Sequence, residues 1–355
     1  MIKTEPTDIF GINGKNPVLI AGPCSAETEE QTLETARGLS QIGIKIFRAG
    51  LWKPRTRPGA FEGVGSKGFQ WLRRVREETG MKFAIEVATA HHVYEALKFG
   101  TDIVWIGART TANPFAVQEI AEAIKGVDIP VLIKNPVNPD IDLWLGAFER
   151  LNRAGVNKLG AIHRGFSSIE RTNYRNQPFW EIPLLFSQKY PDIIMINDPS
   201  HISGRRDLVG YVAMKAMDLG FGGLMIESHA HPDKALSDKE QQLKPSELKA
   251  LIDRIMNRTS AMPVADISES LKELRSQIDL CDHELLLTLL NRMRVSEKIG
   301  IYKKSKKLPP VQIARWNEIL HNRLSEGTKM GLRGEFIEGL FNYIHNESIN
   351  IQIKK

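Results

Sequence analysis

Four side chains that could bind a metal ion follow short apolar runs in the first 260 residues of the sequence. Cys24 follows the first run, His201 the seventh and Glu227 the eighth, with Asp238 in the loop after it. A thiolate, an imidazole and carboxylates form a mixed sulfur, nitrogen and oxygen set. Such a set suits a borderline divalent ion such as Mn²⁺, Fe²⁺, Co²⁺ or Zn²⁺. A lone cysteine or histidine is more often a packing residue, so it is the joint pattern that predicts a metal site.

A cationic group occupies the ends of the same runs. Its members are Arg48, Lys53, Arg55, Arg109, Lys134 and Arg164. Cations crowded at one place repel one another unless anions such as phosphate or carboxylate bind between them. The group therefore predicts small anionic substrates. One alternative stays open, because Lys134 could instead form a Schiff base with a carbonyl substrate, as in class I aldolases.

These residues need a scaffold that brings the run ends together, and the chain pattern supplies one. The apolar runs are 18–21, 45–48, 83–87, 103–106, 131–134, 158–162, 193–196 and 223–226, with helical patterns between them. Near-continuous apolar strands separated by helices indicate a parallel sheet that is buried on both faces. Residues 1–258 are therefore predicted to form an α/β domain, a (β/α)8 TIM barrel, which places its chemistry at the carboxyl ends of the strands. Residues 9–15 are predicted to form a short hairpin that plugs the other end.

The alternation stops near residue 258, and a second domain is predicted beyond it. A linker over 259–265 leads to an all-helical domain, 266–355, with helices at 266–304, 311–326 and 333–353. The first helix carries an apolar stripe at helical spacing, comprising Ile267, Leu271, Leu274, Ile278, Cys281, Leu285 and Leu289. A helix of this length cannot bury its stripe against two shorter partners. We therefore expect the three helices to form an intertwined homodimer.

The composition excludes several classes of protein. The net charge is +6 and the pI about 9.1, but no basic run is interleaved with aromatic residues. This favours anionic metabolites over nucleic acid as partners. Two cysteines give no disulfide framework, which fits a reducing compartment. The chain carries neither a recognisable signal peptide nor an apolar run of membrane-spanning length, so we expect a cytoplasmic enzyme.

The barrel motifs resemble those of the type I 3-deoxy-D-arabino-heptulosonate 7-phosphate (DAHP) synthases, specifically the Iβ branch. The resemblance is carried, in order, by Ala21-Gly22-Pro23-Cys24, Lys53-Pro54-Arg55-Thr56, Ile106-Gly107-Ala108-Arg109, Asp198-Pro199-Ser200-His201 and Glu227 with Ser237-Asp238. The related 3-deoxy-D-manno-octulosonate 8-phosphate synthases resemble this pattern but have Lys-Ala-Asn-Arg in place of Lys-Pro-Arg-Thr. The resemblance thus implies that erythrose 4-phosphate is the aldehyde that is condensed with phosphoenolpyruvate, giving DAHP and phosphate.

The resemblance also implies a role for each group of residues. The metal ligands would be Cys24, His201, Glu227 and Asp238, with Mn²⁺ as the expected ion. The residues that hold phosphoenolpyruvate would be Arg48, Lys53, Arg109, Lys134 and Arg164, of which Lys53 and Lys134 would also be catalytic. The residues that hold erythrose 4-phosphate would be Lys53, Arg55 and Thr56.

The helical domain resembles an all-α (AroQ-class) chorismate mutase, through Leu274-Arg275, Asp279, Asp282, Leu285, Leu289 and Arg292 and then through Lys303, Arg315, Ser348 and Gln352. The implied chorismate site comprises Arg275, Arg292, Lys303, Gln312, Arg315, Ser348 and Gln352, of which Arg275, Arg292, Lys303 and Gln352 would be catalytic. Arg292 and Lys303 are 11 residues apart, about three turns, and so share a helix face. Arg275 lies roughly 100° around the axis from Arg292, so the resemblance implies that it serves the partner subunit's site.

One departure from the mutase pattern keeps an alternative open. Gln312 and Trp316 stand where the family usually has acidic residues that contact the substrate hydroxyl. The helical domain could therefore be a catalytically weak module for dimerisation and regulation. The main expectation is a bifunctional shikimate-pathway enzyme whose synthase is inhibited by a mutase ligand, prephenate or chorismate.

Overall fold

The structure is a computed structural model that describes residues 10–11, 16–53, 59–169, 172–260, 264–309 and 311–354. The chain divides into two compact units, Met1–Ala261 and Met262–Lys355. In the described residues, no helix combines the length and the apolar character needed to cross a membrane.

The first unit is a closed parallel barrel, as the alternating pattern predicted. Its strands in the described part of the chain are β1 (Val18–Gly22), β2 (Ile46–Arg48), β3 (Lys82–Val87), β4 (Ile103–Ile106), β5 (Val131–Lys134), β6 (Leu159–His163), β7 (Ile194–Asn197) and β8 (Gly223–Glu227). Each strand pairs with the next, and β8 returns to pair with β1. All of these pairings are parallel, so the carboxyl ends of the strands meet at one rim.

Helices surround the barrel and follow the predicted segments closely. Those of the first unit are α1 (Glu29–Gln41), α2 (Gly68–Thr79), α3 (Ala90–Lys98), α4 (Ala108–Thr111), α5 (Pro114–Ile124), α6 (Ile141–Arg153), α7 (Glu181–Lys189), α8 (Pro199–Ser203), α9 (Arg206–Asp218) and α10 (Pro245–Ser260). Thr28, Asn113 and Asp140 cap α1, α5 and α6 by accepting backbone N–H hydrogen bonds at the helix starts. The sequence pattern did not single out α4, α7 or α8, because two of them are single turns and α7 contains Pro183.

Two apolar layers fill the first unit. The larger layer lies between the strands and the helices, and includes Trp144 and Phe148 of α6. The smaller layer fills the barrel interior and includes Ile20, Trp105 and Phe10. Phe10 is buried, and its carbonyl accepts a hydrogen bond from Lys82 Nζ at the start of β3, 2.5 Å away. This location agrees with a plug at the amino ends of the strands, although most of the predicted hairpin, 9 and 12–15, lies outside the described residues.

The second unit is helical. Its helices in the described residues are α11 (Val264–Ser305), α12 (Ile313–Lys329) and α13 (Gly334–Lys354). The last third of α11 packs against α13 so closely that a Cβ atom at Gly300 would lie 2.8 Å from the Cα atom of Gln352. Residues 274–288, by contrast, are all exposed in the single chain. Cys281, expected on a packed apolar stripe, is therefore exposed here.

The predicted linker, 259–265, overlaps the ends of two helices. Helix α10 runs to Ser260, and α11 begins at Val264, two residues earlier than expected. Residues 261–263, between these helices, lie outside the described part of the chain.

Candidate active sites

The barrel rim brings three of the four predicted metal ligands together. Gly22 of β1 pairs with Glu227 of β8, so Cys24, two residues after Gly22, lies beside that carboxylate. The ligand atoms of Cys24, Glu227 and Asp238 all lie within 4.8 Å of one another. Cys24 Sγ is 3.4 Å from Asp238 Oδ2, although the two residues are 214 positions apart in the sequence.

His201, the fourth predicted ligand, faces the same cluster from α8. Its Nε2 atom is 3.7 Å from Glu227 Oε1, and its Nδ1 atom is 2.8 Å from Asp198 Oδ2. Asp198 also caps α8 by accepting a hydrogen bond from the backbone N–H of His201. A carboxylate on one imidazole nitrogen orients the other nitrogen, an arrangement common around metal-binding histidines. Burial lowers the pKa of His201, and this favours the neutral imidazole that a metal requires.

The chemistry of the cluster fits a divalent cation. Glu227 is fully buried, and its Oε1 atom has no hydrogen-bond partner in the described residues. Burial, reinforced by Glu227, raises the pKa of the Cys24 thiol to about 12. A bound cation would replace the thiol proton and compensate the buried carboxylate. Buried oxygen, sulfur and nitrogen donors around one point thus form a set suited to a borderline divalent ion.

Four of the six predicted cations line the cavity that adjoins the cluster. The cavity has a volume of about 370 Å³, and its lining includes Lys53, Arg109, Lys134, Arg164, His201 and Asp238. Lys53 Nζ lies 3.1 Å from Cys24 Sγ, so the cationic group and the metal ligands are in direct contact. Arg48 is 1% exposed and does not line the cavity, but its Nη1 atom is 3.4 Å from Glu227 Oε1.

Lys134 and Arg164 are both held by polar partners. Lys134 Nζ forms a buried ion pair with Asp198 Oδ2 at 2.7 Å. Burial by itself would raise the pKa of Asp198, but His201 and Lys134 hold it well below its ordinary value. Arg164 Nη1 donates a hydrogen bond to Asn176 Oδ1 at 2.7 Å. Burial lowers the pKa of Arg164 to about 10, so the guanidinium remains a cation at neutral pH.

Two predicted residues lie outside the described part of the chain. These are Arg55 and Thr56, which were expected to hold the aldose phosphate. A second cavity of about 230 Å³ shares Lys53 and Glu86 with the first and is also lined by Trp52 and His92. The rings of Trp52 and His92 stack at 4.0 Å with an interplanar angle of 7°. His92 was not predicted to lie at the rim.

Several polar residues at the rim were missed at the sequence level. Gln242 Oε1 accepts a hydrogen bond from the backbone N–H of Cys24, and Gln241 Nε2 donates to Glu227 Oε2 at 2.7 Å. Arg175 contacts Asp238, and Asn176 contacts Arg164. These residues lie in loops, many positions along the sequence from the end of the preceding strand. No periodic pattern therefore indicates that they reach the rim.

In the helical unit, the structure brings together two pairs of predicted chorismate-binding residues. Arg292 Nη1 donates to Ser348 Oγ at 2.5 Å, and Lys303 Nζ donates to Gln352 Oε1 at 3.2 Å. Lys303 and Gln352 line a cavity of about 540 Å³, together with Gly300, Lys304 and Lys307. Three lysines on the wall of this cavity suit a substrate that carries carboxylates.

The other three predicted residues contact neither of these pairs in the single chain. Arg275 is exposed and lies about 25 Å along α11 from Arg292, as 17 residues at 1.5 Å each require. Gln312 is exposed at the start of α12, and Arg315 pairs with Glu318 at 2.8 Å on the surface.

Trp316 occupies a position where the resemblance led us to expect a carboxylate. Its ring stacks on His345 of α13, with centroids 3.9 Å apart and an interplanar angle of 12°. Arg292 donates to the carbonyl of Ile344, the residue before His345. His345 therefore lies beside the Arg292–Ser348 pair, a placement that the sequence did not indicate.

Comparisons with known proteins match a family to each of the two units. The model of the DAHP synthetase I family matches residues 1–262, and that of chorismate mutase type II matches residues 274–353. The phospho-2-dehydro-3-deoxyheptonate aldolase of Thermotoga maritima is 33% identical over 69% of this chain and 71% of its own length. The 2-dehydro-3-deoxyphosphooctonate aldolase of Geotalea daltonii is 28% identical over 72% of this chain and 97% of its own. The crystal structure of the Thermotoga maritima DAHP synthase is similar with a TM-score of 0.66 and 31% identity, covering 73% of this chain and 74% of that one.

Proposed function

The chain belongs to the DAHP synthetase I family, and from this membership we propose how its two sites carry out two reactions. The barrel is a DAHP synthase domain and the helical unit a chorismate mutase domain, so the chain is a bifunctional enzyme of the shikimate pathway. The first reaction joins phosphoenolpyruvate to erythrose 4-phosphate and releases phosphate. The second rearranges chorismate to prephenate.

The synthase proposal depends on one observation, the contact between a metal-binding cluster and a cationic cavity. Cys24, His201, Glu227 and Asp238 would hold the ion, with Mn²⁺ as the expected species and Fe²⁺, Co²⁺ or Zn²⁺ as alternatives. The chemistry that such an ion supplies when bound is Lewis-acid polarisation of the aldehyde oxygen. Lys53, 3.1 Å from Cys24 Sγ, lies where it can also approach that oxygen.

The cations of the cavity would bind and orient phosphoenolpyruvate. Arg109, Lys134 and Arg164 line the cavity, and Arg48 and Lys53 lie on its metal side. Cations held by Asp198 and Asn176 are pre-organised, so little ordering is needed when the anion binds. Carbon C3 of phosphoenolpyruvate would then attack the aldehyde carbon, water would add at C2, and phosphate would leave. Lys53, Arg55 and Thr56 would hold the phosphate of erythrose 4-phosphate.

Two assays on one preparation test the synthase proposal. We expect phosphoenolpyruvate consumption to require erythrose 4-phosphate and to be abolished by EDTA, with recovery on addition of Mn²⁺. Cys24→Ala should lower this activity about 100-fold or more, because Lewis-acid stabilisation contributes several kcal/mol. Chorismate consumption by the same variant is the internal control and should be unchanged.

The Schiff-base alternative predicts the opposite outcome. Activity that survives EDTA, together with covalent trapping of Lys134 by borohydride and substrate, would favour a class I aldolase mechanism. The ion pair between Lys134 and Asp198 counts against it, since Lys134 Nζ is already held by a buried carboxylate 2.7 Å away.

The mutase proposal depends on the Arg292–Ser348 and Lys303–Gln352 pairs. The rearrangement needs no covalent or acid–base step, so the site acts by binding and electrostatics. Arg292 and Arg275 of the partner subunit would clamp the two carboxylates. Lys303 and Gln352 would donate to the ether oxygen, on which negative charge grows in the transition state. Ser348, Gln312 and Arg315 would complete the contacts with chorismate.

The second candidate function for the helical unit is a catalytically weak module for dimerisation and regulation, because Trp316 replaces a carboxylate. Prephenate formation from chorismate by the full chain, lost on Arg292→Ala, would decide for the mutase. Slow turnover with intact chorismate binding would favour a dimerisation and regulatory module.

The remaining proposals concern the whole assembly. The exposed apolar residues of α11 support a homo-oligomer, at least a dimer through the helical unit. The fusion of the two activities motivates feedback inhibition of the synthase by prephenate or chorismate. Both cysteines are free, which supports the proposed cytoplasmic location.

A further inference from the structure

The loop between β6 and α7 places Arg175 against the proposed metal site. Its Nη1 atom lies 3.1 Å from Asp238 Oδ1 and donates a hydrogen bond to Gln241 Oε1 at 2.8 Å. Asp238 is 63 residues away in the sequence, in the loop after β8. Arg175 is thus a side chain from a separate element that reaches a proposed metal ligand directly.

A second contact extends from Arg175 to Glu227. Gln241, which accepts from Arg175, is buried, and its Nε2 atom donates to Glu227 Oε2 at 2.7 Å. This hydrogen bond engages one oxygen of Glu227 and leaves Oε1, which has no hydrogen-bond partner in the described residues, facing the cluster. Arg175 therefore contacts one proposed ligand, Asp238, directly and a second, Glu227, through Gln241.

The same loop also contacts the helix that carries His201. Gly204, which ends α8 in the left-handed conformation with φ of +67°, lies so close to Arg175 that a Cβ atom would be 2.5 Å from Arg175 Cβ. The next residue, Asn176, donates from Nδ2 to the carbonyl of His201 at 2.6 Å. The stem of Arg175 is held in place by this packing, which directs its guanidinium to Asp238.

The backbone conformation of Asp238 requires stabilising contacts from other parts of the chain, such as the one with Arg175. Its φ of 46° lies in the left-handed region that non-glycine residues rarely adopt, so tertiary contacts must stabilise its conformation. Its two oxygens have different neighbours, since Oδ1 faces Arg175 and Oδ2 faces Cys24 Sγ at 3.4 Å. Removal of the guanidinium would leave Asp238 Oδ1 without its ion-pair partner and the carboxylate less restricted in rotation.

We propose that Arg175 is a positioning residue of the metal site, which holds Asp238 Oδ1 and Gln241 so that Asp238 Oδ2 and Glu227 Oε1 are presented to the ion. This inference depends on the proposed metal site described above. It assigns Arg175 a role through the ligands rather than through the substrate, although half of its side chain is exposed at the rim of the cavity.

The test is a metal-binding measurement on the full chain without substrates. Co²⁺ is titrated into the metal-free protein and followed by its thiolate charge-transfer and d–d bands, and its Kd is measured by competition with a chromophoric chelator. Arg175→Ala should weaken Co²⁺ binding about 10- to 100-fold, the usual effect of removing a partner of a metal ligand. Arg175→Lys keeps the charge but not the planar guanidinium group. Its Co²⁺ Kd should lie between those of the wild type and Arg175→Ala.

A double-mutant cycle shows whether Arg175 works through Asp238. In an Asp238→Asn background, Arg175→Ala should have little further effect on the Co²⁺ Kd. Arg205→Ala is the matched control, because Arg205 pairs with Asp207 on the surface and its removal changes the net charge equally. Its Kd should equal that of the wild type. Chorismate mutase activity and the circular dichroism spectrum check that each variant is folded.

Several results would overturn the inference. A tighter Co²⁺ Kd in Arg175→Ala would show that the guanidinium repels the ion, and an unchanged Kd would show that it does not act through the metal ligands. An unchanged Kd with a raised KM for either substrate would make Arg175 a substrate-binding residue. If the wild type binds no Co²⁺, the proposed metal site itself is wrong, and that failure is distinct because it appears before any variant is compared.

Discussion

Charged side chains at the barrel rim are buried beside a partner, and this pairing determines how each of them behaves. Glu227, Arg48 and Asp198 are each almost fully buried, yet each lies beside an opposite charge or a neutral imidazole. An unpaired buried charge is strongly unfavourable, so removal of one partner should affect the other more than the lost contact itself suggests. The experiments at this scale are therefore best designed around pairs.

His163 gives a prediction for the pH dependence of stability. The ring is fully buried, Nε2 donates to the carbonyl of Pro178 at 2.6 Å, and Nδ1 faces Asn197 Nδ2 at 3.1 Å. Burial lowers its pKa to about 3, against about 6.5 in an unfolded chain. Because the unfolded state then binds the extra proton, the free energy of unfolding should fall as the pH drops below 6.5, by up to about 1.4 kcal/mol per pH unit.

Denaturant unfolding at pH 7.5, 6.5 and 5.5 would measure this effect. Tryptophan fluorescence reports mainly on the barrel, since Trp316 is the only tryptophan after residue 262. His163→Gln keeps a donor for Pro178 but cannot titrate, so its stability should depend less steeply on pH in this window. Equal slopes for variant and wild type would contradict the assignment.

His345 gives a second prediction at the residue scale. Burial lowers its pKa, and Arg292 and Lys303 act in the same direction, so the ring is neutral at pH 7 and can accept a hydrogen bond. We expect it to take over the contact with the substrate hydroxyl that a carboxylate at position 316 would make. His345→Ala should lower kcat/KM for chorismate about 3- to 10-fold, the range expected for one neutral hydrogen bond.

The control for His345 is Trp316→Phe, which keeps an aromatic ring for the stack. This variant should retain most of the mutase activity if Trp316 only supports the imidazole. Loss of activity in Trp316→Phe with none in His345→Ala would reverse the two roles.

At the scale of elements, residues 274–288 of α11 are exposed along their whole length in the single chain. Leu274, Ile278 and Leu285 of the predicted stripe are each more than half exposed, at 54%, 59% and 51%. An exposed apolar surface of this kind usually marks an interface. The described residues of the predicted apolar stripe over 274–288 are thus exposed, and α12 and α13 do not cover them.

Leu285→Asp tests the dimer proposal on this element. A carboxylate placed in an apolar interface would have to be desolvated, so the variant should sediment as a smaller species than the wild type. Its mutase activity should fall sharply, because Arg275 would no longer reach the partner subunit's site. His283→Asp is the matched control, since position 283 lies on the opposite side of the helix and should leave both properties unchanged. A wild-type sedimentation coefficient for Leu285→Asp would contradict the proposal.

The molecule as a whole carries the domains of two enzymes on one chain. The two compact units divide near residue 262, and each contains its own cationic cavity. Cations line both cavities, in agreement with substrates that are all anions.

Feedback is the prediction at this scale. Saturating prephenate should lower the initial rate of phosphoenolpyruvate consumption in the full chain, because a ligand that orders the helical unit shifts the population of synthase states. The measurement compares rates with and without prephenate, in the wild type and in Arg292→Ala, which should no longer respond. A synthase rate that is unaffected by prephenate in the wild type would rule out feedback by this ligand.

The sequence by itself determined the architecture and most of the rim. Apolar runs that alternate with helical stretches require a buried parallel sheet, and the closure of β8 on β1 follows from eight such units. Because parallel strands deliver their carboxyl ends to one face, Cys24, His201 and Glu227 could be assigned to a common site from their positions alone. Helical spacing likewise placed Arg292 and Lys303 on one face of α11.

Only the tertiary structure decided which loop residues support those groups. Arg175, Gln241 and His345 come from loops or helix faces whose spacing carries no periodic signal, and their partners are distant in the sequence. Their roles depend on which segments pack together, and packing is set by side-chain shape across the whole core rather than by local pattern. The exposure of Cys281 has the same origin, since a helical stripe shows where an apolar surface lies but not what covers it.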